Sequence, residues 1–377
     1  MHRTSIRKLV VYTIVGMIFL FIVVGTLTSF APGKGLASST IHDFANKMKG
    51  ENFIYVIGME NQYFKQSLPH SANMPSVSSV VFELMTNVSF DDPRSLLGRE
   101  IPGFSLFTGR MVVAGEGSDY STMPIESPPP LEVLLAEREA AAKNTEGMDK
   151  PPEAKREPKK TTKGKKVVHL VHTHNRESFL PELEGVENPN HAWHSEVNIT
   201  LVGERIAQTL ENYGIGSVAD KTDIQAILQQ RNWDYVKSYD VSREIIQKAM
   251  QENQDLQFFF DIHRDSQPRN VTTVTINGVD YAKTIFVIGR DNPHYEQNLQ
   301  FAKQLHHLLN EYYPGLSRGI FEVRGSPGTN GNFNQDLSTK SLLLEVGGVE
   351  NTLEENFRTA EAFAEVFSKY FWEHWGE

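Results

Sequence analysis

The chain of 377 residues contains no cysteine. A disulfide framework, a thiolate metal site and a cysteine nucleophile are therefore excluded, and any transition metal must be held by His, Asp or Glu. Positive charge is not in excess: 37 Lys and Arg stand against 47 Asp and Glu, a formal net charge of −10. This balance argues against broad nucleic-acid binding, which needs a basic face. No short HExxH-type motif occurs, so local spacing alone does not define a zinc site.

What is present begins with an apolar run. Arg3, Arg7 and Lys8 precede an uncharged stretch from Leu9 to Phe30. Roughly 20 such residues cross a bilayer core as a helix. The basic cluster keeps the N-terminus inside and sends the remainder across. Residues 1–30 thus read as a cytoplasmic tail and a single-pass anchor. A cleaved signal peptide ending in "TLTSFAPGKGLASS" is the alternative. Residues 31–130, with "NFIYVIGMENQYF" and the strand-like "GRMVVAGEG", read as a small extracytoplasmic region. Residues 131–166 include the Pro- and Lys-rich "EGMDKPPEAKREPKKTTKGKK", which buries too little surface to offset ordering entropy and reads as a flexible linker.

Residues 167–377 form the expected compact domain. The runs "VVHLV", "LQFFFDI" and "KSLLLEV" are short and do not alternate, as in strands buried on both faces of a parallel sheet. Ile199, Val202, Ile206 and Leu210 recur at helical spacing, with Ser195 placed as a cap and Gly214 past the end. "SREIIQKAMQEN" and "NLQFAKQLHHLLNEYY" are further helices. Asn277-Gly278 marks a hairpin turn, and Thr352 with Glu355 has capping-box spacing before a last helix. The alternation predicts an α/β fold: a mostly parallel sheet flanked by helices.

Three buried runs end in metal-capable or acidic side chains: His172 and His174, then Asp261 and His263, then Glu345. Sites in open parallel sheets lie off the carboxyl ends of the strands. Glu196, expected in the first turn of the helix after the first strand, has a plain reading as complement to the helix dipole and a sharper one as a ligand at that edge. Two His, a Glu and an open position describe a catalytic zinc site. Glu345 follows three leucines; burial there would raise its pKa and suit proton exchange between water and a leaving amine. His172 and His174 are two apart; His174 lies nearer the carboxyl end and is the predicted ligand, with His172 behind it or in the core.

The segments "HTHNRESF", "FFFDIHRDS", "NFNQDLS" and "LLLEVGGVENTLEE", in this order behind an N-terminal anchor, resemble the stage II sporulation protein P family. That family is similar in turn to zinc-dependent N-acetylmuramoyl-L-alanine amidases. The resemblance implies an amidase-like fold. It implies metal ligands His174, Glu196 and His263, with Glu345 catalytic and Zn2+ as cofactor. In the amidases the first His precedes a Gly-rich turn; here Asn175-Arg176-Glu177 follows it. The implied activity is cleavage of the amide between the glycan's lactyl group and the stem peptide of peptidoglycan, with endopeptidase action on cross-links. The implied partners are stage II sporulation proteins D and M. The implied place is the septal, forespore-engulfing membrane, with the catalytic domain outside the cytoplasm. A non-catalytic wall-binding scaffold that recruits a partner hydrolase is the alternative function.

Further polar residues have two readings each. Arg264 clamps substrate or makes an ion pair, and Asn334, in the Gly- and Asn-rich stretch 324–338, binds peptide backbone or orders its loop. Glu177, beyond the strand, is read as a substrate-side or supporting carboxylate. His191 and His194 are rival ligands, and Trp193 stacks on sugar or packs.

Overall fold

The computed structural model describes residues 109–125, 129, 130, 133, 158–325 and 330–375. The run Leu9–Phe30, most of 31–130 and the greater part of 131–166 lie outside the described residues. Among those described, no helix is long and apolar enough to cross a membrane.

One mixed sheet of seven strands organises the domain. In chain order these are β1 (Gly109–Ala114), β2 (Lys166–Val171), β3 (Gly216–Ala219), β4 (Phe258–Asp265), β7 (Thr284–Gly289), β8 (Ser317–Val323) and β9 (Ser341–Gly348). Their spatial order is β1-β8-β7-β9-β4-β2-β3. The block β3-β2-β4-β9 is parallel throughout. β7 runs antiparallel to β9 and parallel to β8, and β1 closes the edge antiparallel to β8. A two-stranded hairpin, β5 (Thr273–Ile276) and β6 (Val279–Ala282), turns at Asn277-Gly278. Both turn residues have positive φ, 51° and 79°, as the predicted tight turn requires.

Every residue of β4 and β9 is buried, which explains why their sequences do not alternate in polarity. Their faces still differ. Phe258, Phe260, Ile262, Leu342 and Leu344 enter the large core with helices α1 (Thr200–Asn212), α5 (Tyr295–Tyr312) and α6 (Leu353–His374). Phe259 and Val171 face the other way, onto Ile246 of α3 (Ser238–Glu252). By strand parity Asp261, His263 and Glu345 share that second face. α2 (Ile224–Arg231) packs on α3 through Ile224, Leu228 and Val241, and α4 (Arg269–Thr272) is a single turn before the hairpin. The capping box at the start of α6 is formed as expected, Thr352 and Glu355 each bonding the other's backbone N–H.

Three boundaries differ from the sequence reading. The strand "GRMVVA", expected in a separate region, is an edge of the main sheet, pairing Gly109 with Val323 and Ala114 with Gly319. The segment after it is fastened by a buried ion pair. Arg318 Nη1 donates to Asp265 Oδ2 at 2.6 Å, Arg318 Nη2 donates to the Thr122 carbonyl, and the Ile125 N–H donates to Asp265 Oδ1 at 3.0 Å. Second, the linker ends before residue 166. Thr162 N–H donates to the Gly214 carbonyl and Gly216 N–H to Thr162 Oγ1, fixing that segment beside β3. Third, α1 starts at Thr200, not at Ser195. Side chains take the local backbone groups instead. His194 Nδ1 accepts from the N–H of Glu196 and Val197, and Asn198 bonds the carbonyls of His194 and Ser195 and the N–H of Thr200.

Candidate metal centre

β2 ends at Val171, and a turn follows. In register, β4 lies beside β2 (Val171 opposite Asp261) and β9 beside β4 (His263 opposite Glu345). Three predicted strand ends therefore meet at one carboxyl edge. The turn after β2 brings Glu177 back against His174. The Glu177 N–H donates to the His174 carbonyl, and the Ile199 N–H donates to the Glu177 carbonyl.

His174, Glu177 and His263 form a buried group whose ligand atoms all lie within 4.8 Å of one another. His174 Nδ1 is 3.6 Å from Glu177 Oε1, and His263 Nδ1 is 3.7 Å from Glu177 Oε2. These gaps exceed a hydrogen bond. They suit donors around one ion, since tetrahedral ligands about 2.1 Å from zinc stand about 3.4 Å apart. His263 is buried, and neither of its ring nitrogens has an aligned hydrogen-bond partner. Nδ1, on the Glu177 side, is thus a buried polar atom lacking what a metal would supply. The donor set fits zinc.

The surrounding groups are organised for such an ion. Asp261 Oδ1 lies 3.0 Å from His263 Nε2 and accepts from the Thr173 N–H, while Oδ2 accepts from the Thr173 hydroxyl at 2.5 Å. A carboxylate behind a ligating imidazole sets its tautomer and orientation. Glu177 Oε2 accepts from the Arg264 N–H at 2.9 Å, which fixes that carboxylate. Burial works to raise the Glu177 carboxyl, yet His174, His263 and Arg264 hold it below its ordinary range. Asp261 is likewise held down against burial, by His263 and Thr173. Burial works to lower His263, but Asp261, Glu177 and Glu345 raise it to about 10. Three carboxylates around two imidazoles make this a pocket that demands positive charge. Tyr235 stacks on His174 with centroids 4.6 Å apart, Trp193 meets Tyr235 edge-on at 5.6 Å, and Tyr239 faces the His263 ring at 6.4 Å.

Of the predicted residues, His174, His263 and Glu345 are brought to this edge. Glu345 is buried, next to His263 in register, and its charge is felt there. Glu196 is not among the converging groups; it is exposed in the irregular turn before α1. Glu177, read as an outlying carboxylate, stands in its place. His172 diverges from His174, because strand alternation stops at Val171. Its Nδ1 faces the Asp220 carbonyl at 2.9 Å and its Nε2 packs on Gly203 of α1, where an added Cβ would come within 2.0 Å. Arg264 is buried, with its guanidinium on Ser266 Oγ and the Ala192 carbonyl. Asn334 bonds the Tyr239 carbonyl and Ser242 Oγ. Both therefore act within the protein. His191 is half-buried, and His194 is spent on the turn it caps. The roles of Asp261 and the two tyrosines were missed; only the spacing of Asp261 from His263 hinted at the first.

The fold and the site define an α/β domain with a buried His–Glu–His centre at the carboxyl edge of a mixed sheet. The family model described as Stage II sporulation protein P (SpoIIP) matches residues 91–368. Stage II sporulation protein P of Bacillus subtilis (strain 168) is 44% identical over 368 residues, covering 97% of this chain and 92% of that one. The chain belongs to the stage II sporulation protein P family. Among solved structures it is similar to an N-acetylmuramoyl-L-alanine amidase from Clostridium difficile 630, at 12% identity and TM-score 0.32, covering 56% of this chain and 99% of that one. It is also similar to a metallo-carboxypeptidase from Burkholderia cenocepacia, at 13% identity and TM-score 0.30, covering 55% and 58%.

Proposed function

We propose that this protein is a membrane-anchored, zinc-dependent peptidoglycan hydrolase. It cleaves the amide between the lactyl group of the glycan and the stem peptide, with endopeptidase action on cross-links. Its place is the septal membrane during forespore engulfment, with the hydrolase domain outside and stage II sporulation proteins D and M as partners. Family membership and the apolar run Leu9–Phe30 support the setting. The observation that carries the chemistry is the convergence of His174, Glu177 and His263, with Asp261 behind them and Glu345 beside them.

His174 Nδ1, the Glu177 carboxylate and His263 Nδ1 are the groups that would hold the ion. When bound, zinc polarises a scissile carbonyl and lowers the pKa of water toward neutrality. Asp261, 3.0 Å from His263 Nε2, keeps the proton on that nitrogen and leaves Nδ1 for the metal. Glu345 takes the proton of the attacking water and passes it to the leaving amine. Tyr235 and Tyr239 cover the imidazoles and limit the access of bulk water.

The test is release of stem peptides from purified sacculi by the full chain. Release should stop on chelation and in His263→Ala, and should fall on the order of 100-fold or more in Glu345→Gln, about 100-fold being the lower end of the range for loss of a general acid–base. Undiminished release after chelation refutes the reading.

A further inference from the structure

The turn Asn232–Lys237, between α2 and α3, carries apolar side chains that the core does not use. Trp233 is 40% exposed and Val236 is 65% exposed. Single exposed apolar residues are common. These two are distinguished by where they stand and how firmly they are held. They flank Tyr235, the ring stacked on His174. The helices before and after the turn are each tied to the metal centre. Upstream, Arg176 and Asn175, directly after His174, bond the Asp223 carboxylate, which also caps α2 through the Ala226 N–H. Downstream, Tyr239 packs at 5.5 Å from the His174 ring. Within the turn, Asn232 takes φ +51° and the Trp233 N–H donates to the Leu228 carbonyl. The Arg231 guanidinium lies 4.8 Å over the Trp233 ring, and Glu244 grips it through both Nη atoms at 2.9 and 2.8 Å. An exposed indole is thus braced in one orientation, with little ordering left to do when a ligand arrives.

We propose that Trp233 and Val236 form a glycan subsite of this centre, in which the indole stacks on the apolar face of a hexosamine ring of the glycan strand. The inference rests on the peptidoglycan reading above and adds the residues that seat the sugar chain. A flat apolar ring rimmed by exposed polar groups, here Asp234, Lys237 and Asp240, matches a sugar's C–H face and its hydroxyl and acetamido edge. A stem peptide, flexible and charged, has no equivalent flat face.

The experiment measures binding of peptide-free glycan strands of alternating N-acetylglucosamine and N-acetylmuramic acid to the full chain by calorimetry. Trp233→Ala should weaken binding about tenfold or more. Trp233→Phe should recover most of it, and Val236→Ser, at a site too exposed to affect folding, should weaken it about threefold. Melting temperatures should stay unchanged. Equal affinity of the variants, no binding by the unaltered chain, or a loss of free stem-peptide binding instead would overturn the proposal. Sound glycan binding without release of stem peptides would refute the hydrolase reading and leave the subsite standing.

Discussion

Replacing Asp261 by Asn isolates the group behind His263 from the ligands themselves. Asn keeps the size and an oxygen to accept the Thr173 N–H, while its amide can face the Thr173 hydroxyl, which then accepts. What is lost is the charge 3.0 Å from His263 Nε2. Loss of such a partner weakens metal affinity roughly 10- to 100-fold, or about 1.4 to 2.7 kcal/mol. The upper half of that range is expected here, because the pair is buried and poorly screened. Zinc affinity is measured on the full chain by competition with a chromophoric chelator, alongside the melting temperature of the metal-free protein. An unchanged affinity refutes the reasoning. So does a loss that appears only together with unfolding.

Three further outcomes follow from the same structure. Glu177→Ala should remove most bound zinc while Glu196→Ala retains it, read by metal analysis of the two purified variants; the reverse would restore the sequence-based ligand set. Asp265→Ala leaves Arg318 charged and buried, with a relative exposure of 1%. It should cost about 3–5 kcal/mol and lower the melting temperature by on the order of 10 °C in a thermal scan. Burial would raise Asp220, but His169 and Thr222 hold it at about 2 against an ordinary 3.8. Its folded pKa is depressed, so its contribution, about 1 kcal/mol once its partial exposure to solvent is allowed for, is present above pH 4 and lost as pH falls through 2. The stability gap between the unaltered chain and Asp220→Asn, measured with urea, should close over that window.

Much of the sheet was legible because burial on both faces leaves unmistakable runs such as "FFFDI" and "SLLLEV". The shared carboxyl edge followed from parallel pairing alone. Glu196 lies exposed and outside the His174–Glu177–His263 group for a local reason. The expected helix start depended on Ser195 as a cap, whereas His194 and Asn198 claim the backbone groups of residues 194–200 and delay the helix to Thr200. Glu177 was placed too far out because its approach to His174 is made by a turn, and turn geometry is not encoded in hydrophobic periodicity. β1 was assigned to another region because a six-residue edge strand declares no partner; its place beside β8 depends on register and on the distant Asp265–Arg318 pair.

The ligand set is the central claim, and crystals of the full chain grown with zinc test it most directly. An anomalous difference map at the zinc edge should show one peak about 2 Å from His174 Nδ1, the Glu177 carboxylate and His263 Nδ1. A peak on Glu196, or none near His263, would contradict it.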